Sequence, residues 1–374
     1  MSVRSGVPTP LRLPVLACAG LALLGGLYAA LLLLGLPVPA PRPDLAAVHG
    51  PVMVLGFVGT LIALERAVAL GARWALVAPS AAGLGALVLL GTGPTVAGKL
   101  LLAVGGVGLL GVYAALWRRQ PSVALLAQAA GAFAWYAAAL LWLGGFTVAE
   151  TLPWLAGFVV LTIAGERLEL AHLSMPAHAE RRFVAVLVAL VVGATAATLW
   201  PKPGHQVLGL ALLATVAWLA GYDVARRTVR GRGLPRFVAV GLLAGYGWLA
   251  LAGLLWAGTG PSSAGPRYDA VLHAIFLGFV ISMIFVHAPV IMPAVLRRPL
   301  PYHPVLYAPL LLLHASLLTR LALGDLAGLT VVWQWSAIAN EAALLGFVGC
   351  AAALALRGRT RPRPAAAPQA VTVA

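Results

Sequence analysis

Histidine is the only type of metal-ligating residue that occurs in quantity in this chain, which has 374 residues and eight histidines. Its two cysteines, Cys18 and Cys350, lie inside apolar runs, so the sequence contains neither a disulfide framework nor a CxxC metal site. His49 and His273 each lie near the same end of an apolar segment. Two imidazoles at one depth can bind a haem iron from both sides where their helices lie side by side, so this pair is a candidate haem site. The alternative is two interfacial histidines that water or lipid headgroups satisfy.

The other histidines suggest further metal chemistry. His314 lies in the middle of an apolar run, where an unpaired imidazole is costly, and it is predicted to be an additional haem ligand. His287 follows His273 by fourteen residues, a helical rise of about 21 Å, so one metal cannot bind both. Met283 and Met53 lie one helical turn from His287 and from His49, and thioether with imidazole suits copper. Three histidines beside prolines or arginines are expected to lie in solvated loops: His178, His205 and His303.

Carboxylates near the ends of two apolar segments form a second group. Glu65 and Glu166 are each followed by arginine, and Glu166, Glu169 and His172 recur at intervals of three, along one side of a helix. With His287 at the same depth, they predict a second metal site, for copper or non-haem iron, or the inner end of a proton path. The alternative is a set of arginine-paired helix ends at the membrane interface.

The composition shows which elements must hold these residues. Hydrophobic residues make up 61% of the chain and charged residues only 9%, whereas soluble proteins carry about 25% charged residues. The chain is therefore predicted to be an all-α polytopic membrane protein. Residues 1–356 form a single membrane domain, and the Pro/Ala/Arg-rich residues 357–374 form a disordered cytoplasmic tail. Twelve apolar runs are long enough to cross a bilayer: 12–36, 45–71, 74–92, 98–117, 122–144, 151–172, 182–200, 205–225, 236–257, 268–296, 303–322 and 329–356.

The net charge of +15 is explained by topology rather than by a nucleic-acid partner. Twelve crossings place 20 of the 25 lysines and arginines on one side of the membrane and five on the other. The positive-inside rule then predicts that both termini lie in the cytoplasm, and we expect a multi-pass protein of a bacterial-type inner membrane. The uneven distribution of lysine and arginine thus indicates the lipid bilayer as the partner of this chain. The sequence leaves the oligomeric state open.

An internal repeat relates three of the spans. Residues 56–66 (GFVGTLIALER) and 157–167 (GFVVLTIAGER) match at seven of eleven positions, including the Glu-Arg pair. Residues 278–288 (GFVISMIFVHA) retain the Gly-Phe-Val start and place His287 where the other two copies have glutamate. The copies lie in spans 2, 6 and 10, so they predict three four-helix arcs around a pseudo-threefold axis. A chance match in an apolar chain is the alternative.

Three four-helix arcs with candidate ligands on helices 2, 6 and 10 resemble the core subunit of the haem–copper oxidase superfamily. In size and histidine use the chain is similar to the NnrS family, which is linked to nitric oxide metabolism. The resemblance implies b-type haem, copper or iron as a second metal, a gas ligand such as nitric oxide, and an electron-donor protein. The chain departs from true oxidases because span 7 has no histidine and span 10 has no His-x-His. Their copper site is therefore not recognisable here.

Three functional hypotheses remain from the sequence. The first is a haem-binding membrane protein in nitric oxide or related redox metabolism, acting either as an oxidoreductase or by binding alone. The second is a proton-coupled secondary transporter or metal exporter without haem, because buried glutamate and histidine are equally typical of transporters. The third is an assembly factor that handles haem transiently. No catalytic motif of a soluble enzyme lies in the predicted loops.

Overall fold

A computed structural model describes residues 6–171 and 175–357 of the chain. It contains twelve helices that are long and apolar enough to cross a membrane, which confirms the predicted number. They are α1 (Thr9–Leu33), α2 (Ala46–Leu70), α3 (Arg73–Thr92), α4 (Val96–Arg119), α5 (Val123–Leu143), α6 (Val148–Ala171), α7 (His178–Leu199), α8 (Pro201–Tyr222), α9 (Gly233–Thr259), α10 (Gly265–Val295), α11 (Pro304–Leu326) and α12 (Thr330–Arg357). Over the described ranges there is no strand.

Glycines end some of these helices where the sequence predicts breaks. Gly71, with φ of 76°, is the left-handed residue that closes α2, and Gly93, with φ of 77°, follows α3. These values lie in the region that glycine enters without steric cost, so the chain can reverse direction between neighbouring spans. Two predictions fall outside the described residues: His172 as a ligand, and the disordered tail, of which only Arg357 is described.

Helices α2, α6 and α10 are the inner helices of the bundle. In their most apolar stretches 67%, 78% and 56% of the residues are buried, compared with at most 50% in every other span. Arg66 of α2 contacts Glu166 of α6, and Arg167 of α6 contacts His287 of α10. The remaining helices pack outside them, largely against their neighbours in the chain. This arrangement confirms the all-α fold, in which the three repeated segments occupy the centre.

Three of the spans contain a π-helical segment. These segments are Val52–Val58 in α2, Ala274–Ile281 in α10 and Arg320–Leu326 in α11. A π-helical turn adds a residue to the helical repeat, is rare, and occurs frequently at functional sites. The segments begin three residues after His49, directly after His273, and at Arg320. All three therefore begin in one region of the bundle, which is described next.

Candidate functional site

A cavity of about 440 Å³ lies among α1, α2, α6, α10, α11 and α12. It is at the end of the bundle near Arg42, Lys99, Lys202 and Arg267, which we call the arginine-poor end; the opposite end is the arginine-rich end. His49 of α2 and His273 of α10 both line this cavity. Side chains such as Leu152, Val58 and Leu344 make most of its wall apolar. The structure thus brings together the two histidines that the sequence paired.

Both imidazoles are held by backbone carbonyls of neighbouring turns. Nδ1 of His49 lies 2.8 Å from the carbonyl oxygen of Gly26 in α1. Nδ1 of His273 lies 3.0 Å from the carbonyl oxygen of Asp269, one turn earlier in α10. Because a carbonyl can only accept, each Nδ1 carries the proton and donates it, so the lone pair is on Nε2. No hydrogen-bond partner of either Nε2 is found in 6–171 or 175–357, so both lone pairs are free.

An ion pair forms the polar part of the cavity wall. Arg320 donates from Nε to Oδ2 of Asp269 at 2.8 Å and from a terminal nitrogen to Oδ1 at 2.6 Å. Trp333 donates to the same carboxylate at 3.3 Å, and its ring lies 5.0 Å from the Arg320 guanidinium carbon. Asp325 also contacts Asp269. Glu341 lines the cavity from α12, and its Oε1 is buried without a hydrogen-bond partner among the described residues.

Sequence reasoning missed this ion pair. The sequence places Arg320 in the last residues of the predicted span 303–322, on the outer side, with no partner named, whereas in the structure it is 6% exposed and starts the π-helical segment of α11. One signal in the sequence could have found it. Asp269 precedes His273 by four residues, so both lie on one face of α10, and a buried carboxylate needs a partner.

His314 lies apart from this cavity. Its Nδ1 accepts a hydrogen bond of 2.9 Å from the indole of Trp248, whose ring is nearly coplanar with the imidazole, at an interplanar angle of 8°. Its Nε2 lies 3.3 Å from the hydroxyl of Ser282, and it is not among the cavity-lining residues. Both ring nitrogens are thus occupied by side chains. The structure does not place His314 with the predicted haem ligands, because hydrogen bonds rather than a metal satisfy this mid-span imidazole.

His287 belongs to a buried ion-pair network at the arginine-rich end. Arg167 donates from Nε to Asp223 at 2.7 Å and from another nitrogen to Nε2 of His287 at 3.2 Å. The carbonyl of Met283 accepts from Nδ1 of His287 at 2.8 Å, and Tyr246 donates to Asp223 at 2.8 Å. The lone pair that a metal would need therefore faces a guanidinium. The copper role predicted for His287 with Met283 does not fit this arrangement.

The glutamates of the repeat surround Arg66. This guanidinium is 2.5 Å from Glu65 and 3.6 Å from both Glu166 and Glu169. Gln128 donates to Glu169 at 3.0 Å. Within the described parts of the chain, no group of three or more His, Cys, Asp or Glu side chains could hold a metal ion. The pairing with arginine that the sequence offered as an alternative is the arrangement observed for these carboxylates.

Comparison with known proteins gives one match. A family model described as "Domain of unknown function (DUF8744)" matches residues 12–356, which include the cavity and the ion pairs of Arg66 and Arg167. The chain belongs to this family. No curated protein and no solved structure matches the chain.

A second cavity of this DUF8744 chain lies at the arginine-poor end, has a volume of about 410 Å³, and is lined in part by His205, Glu150 and Ser262. His205 was expected in a solvated loop, but it lies in the first turns of α8 and is only 7% exposed. Its Nδ1 donates to the carbonyl of Pro201 at 2.7 Å, and its ring packs edge-on against Trp256. The expectation failed because α8 begins directly at Pro201, a residue well suited to a helix start.

Proposed function

We propose that this protein binds haem b between His49 and His273 and acts as a membrane-bound redox protein. One observation carries the proposal: two histidines from different inner helices line one cavity, and neither Nε2 has a hydrogen-bond partner among the described residues. Histidines that bind metals almost always donate the other ring nitrogen to a carbonyl or carboxylate, as both do here. Each ring therefore has the tautomer that a ligand needs.

The rest of the cavity is compatible with a large, flat, mainly apolar group. Its volume lies within the range of about 300–1,000 Å³ typical of small-molecule sites, and its wall is mostly aliphatic. A cation at one place in an otherwise apolar wall, Arg320, suits a ligand with acidic side groups. The proposed residues thus fit the group in donor type, size and polarity.

Two histidine ligands define the kind of chemistry that we propose. When bound, haem would supply one-electron chemistry. His49 and His273 would hold the group from two sides, and the apolar wall would exclude water, which favours electron transfer with a donor protein over gas binding. A nitric oxide role, as the resemblance implies, would need only one of the two histidines to hold the group.

The test is an absorption spectrum with metal analysis of the protein purified from cells supplied with haem precursor. We expect a Soret band, a low-spin α/β spectrum and about one iron per chain. Copper is measured in the same sample, since Met53 also lines the cavity beside His49. A purified, folded protein with neither a Soret band nor iron would overturn the proposal.

Glu341 favours a second candidate function, a proton-coupled transporter. Glu341 lines the same cavity, its Oε1 is buried without a hydrogen-bond partner among the described residues, and an unpaired carboxyl group inside a membrane is typical of proton carriers. This candidate predicts substrate-driven proton flux in liposomes, no bound chromophore, and loss of that flux in Glu341→Gln. Under either function we place the arginine-rich end in the cytoplasm of a bacterial-type cell.

A further inference from the structure

The two histidines of the cavity differ in what holds them. His49 donates only to a backbone carbonyl, that of Gly26. Nδ1 of His273 lies 3.0 Å from the carbonyl oxygen of Asp269 and also 3.0 Å from Oδ1 of its carboxylate. A charged acceptor draws the Nδ1 proton more strongly than a neutral carbonyl does. The Nδ1–H of His273 therefore faces a carboxylate as well as a carbonyl, whereas that of His49 faces a carbonyl alone.

We infer that Asp269 and Arg320 form a device that sets the reduction potential of the haem through His273. This inference rests on the proposed function. Asp269 touches no cavity ligand other than His273, so it acts as a positioning residue rather than as a ligand. A histidine ligand whose N–H is bonded to a carboxylate would donate more charge to a bound iron and favour its ferric form, which lowers the reduction potential.

Arg320 sets how much negative charge Asp269 shares with His273. It binds both carboxylate oxygens, at 2.8 and 2.6 Å, and Trp333 adds a third donor at 3.3 Å. Each donor withdraws negative charge that Asp269 would otherwise share with His273. The side chains involved are largely shielded, with 8% exposure for Arg320 and 16% for Asp269, so water screens the effect little. Contacts from Arg320 to Asp269 and from Asp269 to His273 thus connect α11 to the cavity.

The arrangement predicts shifts of opposite sign for the two members of the pair. Asp269→Asn keeps an oxygen acceptor for His273 but removes the charge, and it should raise the midpoint potential. Arg320→Gln leaves more of the negative charge of Asp269 to His273 and should lower the midpoint potential. A tenfold change in the ratio of reduced to oxidised haem corresponds to about 59 mV, and we expect at least this size for Asp269→Asn.

Charge alone would also move the potential, so a control must remove charge without touching a histidine. Asp44→Asn removes a carboxylate at the same end of the bundle, where Asp44 pairs with Arg42 and does not line the cavity. Any change of the haem potential in this variant measures the effect of lost charge alone, and the electron paramagnetic resonance g-values of the ferric haem should stay as in the wild type. Asp269→Asn should shift both the potential and the g-values, because it changes the axial ligand itself.

The experiment is potentiometric titration and electron paramagnetic resonance of the purified wild type and these variants. If Asp269→Asn does not fold, Trp333→Phe removes one donor from the carboxylate and should lower the potential. Haem-loaded Asp269→Asn or Trp333→Phe with unchanged potential and g-values would overturn the inference while leaving the haem site standing. A wild type that binds no haem would overturn the proposed function, and this inference would fall with it.

Discussion

Arg66 of α2 and Arg167 of α6 occupy the same position in the repeat but bind different partners. Arg66 lies among Glu65, Glu166 and Glu169, whereas Arg167 forms an ion pair with Asp223 and contacts His287. Arg66 and Glu166 link α2 to α6, and Arg167 and His287 link α6 to α10. One repeated dipeptide thus ties the three inner helices together at the arginine-rich end. The cavity with the two free imidazoles lies at the other end of the same helices.

We expect the two cavity histidines to be required for haem binding. His49→Ala or His273→Ala should lower haem occupancy by more than roughly tenfold, or convert the remaining haem to a five-coordinate spectrum, because each removes an axial ligand. Occupancy is measured by pyridine haemochrome per chain. His314→Ala is the matched control, since its imidazole is bonded to Trp248 and Ser282 outside the cavity. Normal low-spin spectra in both cavity variants would refute the ligand assignment.

The buried ion pair should be a major source of stability. Asp223→Asn removes the charge that compensates Arg167, whose side chain is only 6% exposed, and should lower the free energy of unfolding by about 3–5 kcal/mol. Asp44→Asn is the control, because that aspartate pairs with Arg42 at an exposed position and should change stability little. Unfolding in detergent is followed by circular dichroism. Equal stability of the two variants would contradict a structural role for the buried pair.

Removal of Arg66 should make stability depend on pH. Arg66→Gln leaves the carboxylates of Glu65, Glu166 and Glu169 facing one another and should cost about 1.5–3 kcal/mol at neutral pH. The loss should shrink as the pH falls, because protonated carboxyl groups no longer repel. Thermal unfolding at several pH values measures this. Arg73→Gln, at an exposed arginine near the same end, should show no such dependence; a similar profile for both would refute the cluster's role.

The orientation of the protein can be tested with single cysteines. Ser263→Cys, in the loop between α9 and α10, and Arg230→Cys, in the loop between α8 and α9, are exposed and lie at opposite ends of the bundle. The distribution of positive charge predicts that a membrane-impermeant thiol reagent labels only the first in whole cells. The second should become labelled when the membrane is opened. Labelling in the reverse order would place the arginine-rich end outside.

The spans were predictable because they depend on local composition. The sixth was predicted at 151–172 and is Val148–Ala171, and the eleventh was predicted at 303–322 and continues to Leu326. The second difference has a physical cause. Arg320 would normally end an apolar span, but Asp269 from α10 neutralises it, so α11 continues through it as a π-helical segment. A prediction made from the composition of one segment does not include a compensating charge on another helix.

The sequence alone determined the solvent and the twelve helices, and it showed that spans 2, 6 and 10 share a repeat; that these three lie inside came from the structure. It also supplied His49 and His273 as residues at a common depth. Only the tertiary structure decided that these two share a cavity while His314 and His287 are bonded elsewhere. The reason is that depth follows from position along a helix, whereas the direction of a side chain depends on how neighbouring helices pack and on each π-helical turn.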